Sequence, residues 1–374
     1  MASLARPLKE ISIFLYDLNL GGTEKVMVNL ANFLSTHGFQ VTILMVGKNS
    51  YLQRELLDNI QVISLNKKKI IKSFIPLIRY IRNNKINTFI ANVWPLTILT
   101  IGAGIFFRGF NKKVLLVEHA NLKREFSGFS SIFRFFQKIS IMFLYPKSFK
   151  VIAVSEGVGN DLIDNKNVPE TSMRVIHNPV AIEHNLNPPE SKILSEWLNF
   201  QGAKLISVGN LKTQKNYPYL LSILAKLKSR NFHFKQLIVG EGPERKYLED
   251  LISSLGLTED VILAGSLDSP IQLMNKADLF ILSSRFEGFG LVLVEALATG
   301  TTVVSTDCES GPAEILQDGA LGYLAPLENA EKFSEIIIHA NHNKLSPELL
   351  INRSKDFSIN LVGPKYIELI NQMK

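Results

Sequence analysis

Short apolar runs alternate along this chain with segments whose apolar positions recur at helical spacing. The run Ile11-Ser12-Ile13-Phe14-Leu15-Tyr16 reads as a strand. After Gly21-Gly22 comes a helical pattern with Val26, Met27, Leu30, Phe33 and Leu34 on one face, stopped by Gly38. A second strand is expected over residues 39–46. Strand, helix and strand in so short a span predict a βαβ unit, and therefore parallel pairing.

The second half repeats the alternation more plainly. Strands are expected over 204–208, 234–239, 261–264, 277–282 and 301–306. Helices are expected between them, over 218–229, 244–255, 271–275, 291–298 and 312–316. Pro218 and Pro312 suit first-turn positions, where the missing N–H removes no helical bond. The pattern is that of an α/β protein with two Rossmann-like doubly wound domains. Their join is placed in an Asn- and Pro-rich stretch over 177–189. This assigns residues 1–180 to the first domain and 181–361 to the second, with 362–374 crossing back to the first. Two such sheets facing across a cleft would bind ligands beside the carboxyl ends of their strands.

Residues 86–107 carry no charge over 22 positions, long enough to span a bilayer. Asn87, Asn92, Pro95, Gly102 and Gly104 interrupt the run, however, and split it into a buried strand (87–91), a turn at Trp94-Pro95 and a helix (96–107). Basic, aromatic-rich stretches lie on either side, over 67–82 and 126–150. Cations interleaved with Phe, Ile and Leu suit an anionic membrane surface, and equally a core-facing helix with solvated lysines. No nucleic-acid fold signature accompanies them.

Composition narrows the class. Of 374 residues, 46% are hydrophobic and 20% charged, which excludes a disordered chain, a collagen and a coiled coil. A single cysteine, Cys308, excludes a disulfide framework and suits a reducing compartment. The opening residues do not read as a secretory signal, so a cytoplasmic location is expected. Charge is split: residues 1–180 hold 23 Lys and Arg against 11 Asp and Glu, a net +12, and the remainder is net −5. Such asymmetry asks for an anionic partner on one side only.

The most informative segment runs from Ser283 to Leu316. Glu287 follows a predicted strand, and Glu295 lies eight positions later inside the next helix. Between them, Gly288 and Gly290 allow the backbone N–H groups of Phe289, Gly290 and Leu291 to gather at a helix N-terminus, an anion site. Carboxylates on each side of a phosphate cradle suit a polyol phosphate. Metal chemistry finds little support, since no His-Glu-x-x-His and no Asp-x-Asp is present. A serine or cysteine triad lacks its elbow motif.

This segment resembles the retaining glycosyltransferases of glycosyltransferase family 4, which have the two-Rossmann GT-B fold. Their two glutamates with seven residues between, and their F-G-x-x-x-x-E core, correspond to Glu287 and to Phe289 through Glu295. Thr306-Asp307-Cys308-Glu309-Ser310-Gly311-Pro312 is similar to the family's T-D-C-x-S-G-P. Val208-Gly209-Asn210-Leu211-Lys212-Thr213-Gln214-Lys215-Asn216 is similar to V-G-R-L-x-x-Q-K-N, with Asn210 where the family has Arg. Asn cannot replace a bidentate guanidinium clamp, and Lys212 and Arg285 are the nearby cations that could supply the charge. Gly240 falls in a G-x-G-P loop and Gly21-Gly22 in a G-G-A-E-R-like loop. His119, after the predicted strand 114–117, sits where the family often has a His close to the transferred sugar and could donate a hydrogen bond there. Ser155-Glu156 and Asn178 also match common family positions.

The resemblance implies a metal-independent transferase without a cofactor, taking a nucleotide diphosphate sugar as co-substrate, with a UDP-sugar favoured. The acceptor would be a lipid-linked or oligosaccharide glycan, met by a basic first domain at the inner face of the cytoplasmic membrane. Glu287, His119 and Lys215 would be catalytic. Glu295, Phe289, Gly290, Leu291, Asn210, Gly209 and Gly240 would bind the donor, and Gly21 and Gly22 would form an acceptor or phosphate loop. Two alternatives share the donor: a nucleotide-sugar epimerase of the same fold, and a non-catalytic nucleotide-sugar binder. An NAD oxidoreductase would need a G-x-G-x-x-G after the first strand, which is absent.

Overall fold

The computed structural model describes residues 9–181 and 192–373. The chain divides into two compact units, Met1–Ala181 with Ser358–Lys374, and Ile182–Phe357. The part of the expected join at 182–189 lies outside the described residues.

Seven parallel strands form the first sheet: β1 (Glu10–Leu15), β2 (Gln40–Met45), β3 (Gln61–Ser64), β4 (Thr88–Asn92), β5 (Val114–Glu118), β6 (Lys150–Ala153) and β7 (Met173–Val175). Their order is β3-β2-β1-β4-β5-β6-β7. β4 and β5 are buried along their whole length. Helices cover both faces of a parallel sheet, so its central strands read as unbroken apolar runs. Ile11 pairs with Val41 and Ile13 with Ile43, while Ile13 also faces Ile90 across β4. The uncharged run at 86–107 becomes β4, a turn at Trp94-Pro95 and a helix Leu96–Gly104. No helix among the described residues is long and apolar enough to cross a membrane.

The segment that returns to the first unit begins at Ser358, bridged to Val180, rather than at Val362. Its helix Ile359–Gln372 packs on the helix Gly22–Thr36. A Cβ at Gly363 would come within 2.3 Å of the Phe33 ring, so glycine permits the close crossing. Arg174 of β7 pairs with Glu368 on this helix at 3.0 Å.

The second sheet also has parallel strands only: β8 (Ala203–Val208), β9 (Phe234–Val239), β10 (Val261–Gly265), β11 (Leu279–Leu282), β12 (Thr302–Thr306) and β13 (Tyr323–Ala325). The order is β10-β9-β8-β11-β12-β13. Each sheet therefore reverses its winding once, between β1 and β4 in the first unit and between β8 and β11 in the second. Ligands of open α/β sheets bind outside the carboxyl ends of the strands at such switch points. The core of the second unit gathers Leu205, Ile238, Leu279, Ile281 and Val304 from the sheet, with Leu220, Leu224 and Phe333 from the helices.

Candidate active site

In the second unit the loops after β8 and β11 are tied together. Gln214 Nε2 donates to Phe286 O at 3.2 Å, and Arg285 N donates to Gln214 O at 2.9 Å. Ser283 Oγ donates to Lys215 O at 2.9 Å. At the centre Lys215 Nζ stands 2.7 Å from Glu287 Oε1, with side-chain exposures of 16% and 6%. Glu287 Oε1 also accepts from Ser284 Oγ at 2.6 Å. Placing both charges in a shielded position is costly unless they pair, and the added serine bond offsets part of that cost. The chain beyond Glu287 is pinned as well, since Phe286 bridges Glu309 and Glu287 N donates to Glu309 O at 3.2 Å.

Two glycines of the β8 and β9 loops are in close contact. A Cβ at Gly240 would fall 2.0 Å from Gly209 O, and one at Gly209 would fall 3.0 Å from Lys215 Cε. A side chain at Gly240 would force the two loops apart, whereas one at Gly209 would press on the Lys215 side chain. Tyr217 OH donates to Gly209 O at 3.0 Å, and burial together with the charge of Glu287 raises its pKa. Cys308 is buried, and burial, followed by the charge of Glu287, pushes its thiol up to about 12. It is therefore a neutral wall of the site, not a nucleophile.

Gly290 adopts φ +96° at the start of the helix Leu291–Ala298, a conformation glycine takes without strain. Phe289 is buried with its ring edge-on to Phe357 at 5.3 Å, so its side chain belongs to the core. Its carbonyl closes over Gly311, where a Cβ would lie 1.8 Å away. Glu295 is half-buried on the same helix, one turn beyond Leu291. Asn210, Lys212 and Arg285 are exposed.

The remaining predicted residues belong to the first unit. Gly21 caps the helix Gly22–Thr36 in an extended conformation, just past the carboxyl end of β1. His119 follows β5, with Nε2 3.1 Å from Asn92 Oδ1, while Asn92 Nδ2 donates to Phe14 O at 3.3 Å. Asn92 thus assigns the ring proton to Nε2. Nδ1 is shielded from solvent and without a hydrogen-bond partner among the described residues, which leaves it an acceptor. Burial lowers the His119 pKa to about 3, only partly opposed by Asn178, so the ring is neutral at physiological pH.

Sequence reasoning did not single out the supports of these groups. Ser284 and Asn92 stand at or just past strand ends beside a switch point, the signal that could have flagged them. Glu118 is fully buried and accepts from Thr97 Oγ1 at 3.3 Å, from Trp94 N at 3.3 Å and from Tyr145 OH. Burial pushes its carboxyl up to about 7. Among the described residues no group of three or more His, Cys, Asp or Glu side chains is arranged to hold a metal ion.

Two switch points, one lined by a Lys–Glu pair and glycine-built loops, define an architecture of two Rossmann-like units. The sequence model for glycosyl transferases group 1 matches residues 196–357, and that for glycosyltransferase family 4 matches residues 20–184. The chain is 30% identical to N-acetylgalactosamine-N,N'-diacetylbacillosaminyl-diphospho-undecaprenol 4-alpha-N-acetylgalactosaminyltransferase of Campylobacter jejuni, over 86% of this chain and 87% of that one. It is 25% identical to the amylovoran biosynthesis glycosyltransferase AmsD of Erwinia amylovora, over 94% and 97%. Among solved structures, HepE of Anabaena in complex with UDP and glucose superposes with a TM-score of 0.80 at 19% identity, covering 97% of this chain and 99% of that one. The chain belongs to the family 4 glycosyltransferases, of GT-B fold.

Proposed function

We propose that this glycosyltransferase moves a sugar from a nucleotide diphosphate sugar to a lipid-linked or oligosaccharide acceptor in glycan assembly, with retention of anomeric configuration. The observation that carries the reading is the shielded Lys215–Glu287 pair at the β8/β11 switch point. A UDP-sugar is favoured as donor, supported by the UDP and glucose held by the Anabaena structural neighbour. A lipid-linked acceptor is supported by the undecaprenol-linked substrate in the name of the Campylobacter relative.

In this reading the bond from the sugar's anomeric carbon to the diphosphate breaks, and its electron pair leaves on the phosphate oxygen. The acceptor hydroxyl attacks from the same face, and its proton passes to that departing oxygen. Lys215 has three donors, enough to keep Glu287 while taking a phosphate oxygen. Its charge and the backbone amides around Gly290 stabilise the leaving diphosphate, the electrostatic contribution that usually dominates. The second Glu287 oxygen takes hydroxyls of the transferred sugar, and Glu295 takes the ribose. His119, neutral, is the residue of the first unit assigned to the other face of the transferred sugar. Lys215 and these amides take the neutralising role without a resident metal or cofactor. The basic first unit meets the anionic acceptor and the cytoplasmic membrane face as a peripheral protein.

The test is a panel of UDP-, GDP- and ADP-sugars turned over with and without lipid extract, with and without EDTA. Label moving into lipid, with the donor's anomeric coupling preserved by NMR and no effect of EDTA, is the expected result. Isomerisation of one sugar nucleotide without extract would replace this reading with the epimerase, and donor binding without turnover would replace it with the non-catalytic binder.

A further inference from the structure

Three helices of the first unit follow β3, β4 and β5 in turn: Phe74–Asn83, Leu96–Gly104 and Ser131–Leu144. The first packs on the second and the second on the third. Phe106, just past the second, meets Phe74 edge-on at 6.4 Å. This layer carries an uncovered apolar surface. Every exposed phenylalanine among the described residues belongs to it or to the turn leading into its third helix.

The third helix is inverted relative to an ordinary surface helix. Its buried residues are Gln137 and Ile141, one turn apart. Ile132, Phe135, Phe136 and Phe143 are 60–71% exposed and, with half-buried Ile139, recur at helical spacing on the opposite side. The apolar stripe therefore points away from the domain. Arg134 and Lys138 lie on one flank, between the stripe and the buried side. A monomeric soluble surface rarely leaves such a stripe uncovered.

Charge identifies what covers it. Residues 59–117 contain no Asp or Glu over 59 positions but ten Lys and Arg. Residues 126–155 contain none over 30 positions, with Arg134, Lys138, Lys147 and Lys150. An apolar stripe set in an acid-free, cationic surface is complementary to an anionic lipid interface, where the rings enter the acyl boundary and the cations meet headgroups. A second copy of the same face would bring like charges together.

We propose that the outward face of helix Ser131–Leu144, flanked by Phe106 and Ile75, inserts shallowly into an anionic phospholipid bilayer. This rests on the lipid-linked acceptor proposed above and names the element that carries the enzyme to it. The test is flotation of the full chain with phosphatidylcholine vesicles, with and without phosphatidylglycerol. It compares wild type, the triple variant Ile132→Ser/Phe135→Ser/Phe136→Ser and the charge variant Arg134→Glu/Lys138→Glu.

The wild type is expected to float with the anionic vesicles and to be weakened by salt. The triple variant should lose at least about tenfold in apparent affinity, with unchanged melting and unchanged binding of the nucleotide that the wild type takes. The charge variant should lose affinity at low salt only. Flotation of the triple variant at wild-type level overturns the proposal. So does a wild type that ignores vesicles but sediments as a dimer, made monomeric by the triple variant, since a second copy then covers the face. Failed flotation with intact transfer removes this inference alone. Flotation as expected with no transfer removes the proposed function alone.

Discussion

Lys215 Nζ and Glu287 Oε1 meet at 2.7 Å where β8 and β11 adjoin, the one place where the second sheet reverses its winding. Each is the main compensation for the other's loss of water. Lys215→Ala is expected to lower unfolding stability by about 3 kcal/mol, because it strands a buried carboxylate. It should slow transfer by at least about 10²-fold, as loss of a preorganised cation does. The pair Lys215→Met/Glu287→Leu should recover much of the stability and none of the activity. Urea unfolding beside initial rates checks both, and a fully active Lys215→Ala would remove the pair from the mechanism.

Glu295 sits half-buried on the helix that Gly290 caps. If it accepts from ribose hydroxyls, Glu295→Ala should raise the donor KM by about 10- to 100-fold, the range for a charged hydrogen bond of about 1.5–3 kcal/mol. The acceptor KM should stay unchanged. Near-wild-type donor kinetics in this variant would send the ribose elsewhere.

Gly240 has no room for a methyl group, since its Cβ would lie 2.0 Å from Gly209 O, a backbone atom that cannot swing aside. Gly240→Ala must therefore part the β8 and β9 loops. The expected result is a loss of about 1–3 kcal/mol in stability, the scale of overpacking, together with weakened donor binding. Gly128→Ala, where a Cβ meets nothing within 4 Å, is the control and should leave both unchanged. Thermal melting and nucleotide titration of the two variants decide it.

The fold was legible wherever apolar residues dominate a segment of strand or helix length. β9 and the helix Leu291–Ala298 stand at the positions the sequence predicts, and the uncharged stretch at 86–107 resolves into a strand, a turn and a helix as its breakers suggest. Short peripheral strands were not legible. β13 is three residues long and half-buried for two of them, and β7 contains Arg174. The helix Ala330–His342 escaped because Ile336, Ile337 and Ile338 blur the period that Phe333, Ile337 and Ala340 would otherwise set. At the site, loop residues after strands could be flagged singly. Their partners could not: Lys215 and Glu287 are 72 positions apart, and only strand order brings β8 beside β11. The Asn92–His119 bond is hidden for the same reason.

Glu118 gives a pH dependence of defined sign. Its carboxyl is fully buried, accepts three hydrogen bonds, and is pushed by burial from 4.5 up to about 7. The folded state thus holds this proton to higher pH than the unfolded chain does. Stability from the group is complete below about pH 4.5 and is lost as pH rises through about 7, by about 3 kcal/mol in all. Glu118→Gln keeps an oxygen for Trp94 N and offers an N–H to Tyr145, yet it cannot ionise. The wild type should therefore lose more stability than Glu118→Gln between pH 5 and pH 8, by roughly 2–3 kcal/mol. His119 cannot produce this difference, because its low pKa keeps it neutral in the native state across that range and both proteins share it. Equal pH slopes in urea unfolding of the two proteins would mean that Glu118 is already ionised in the native state at pH 5.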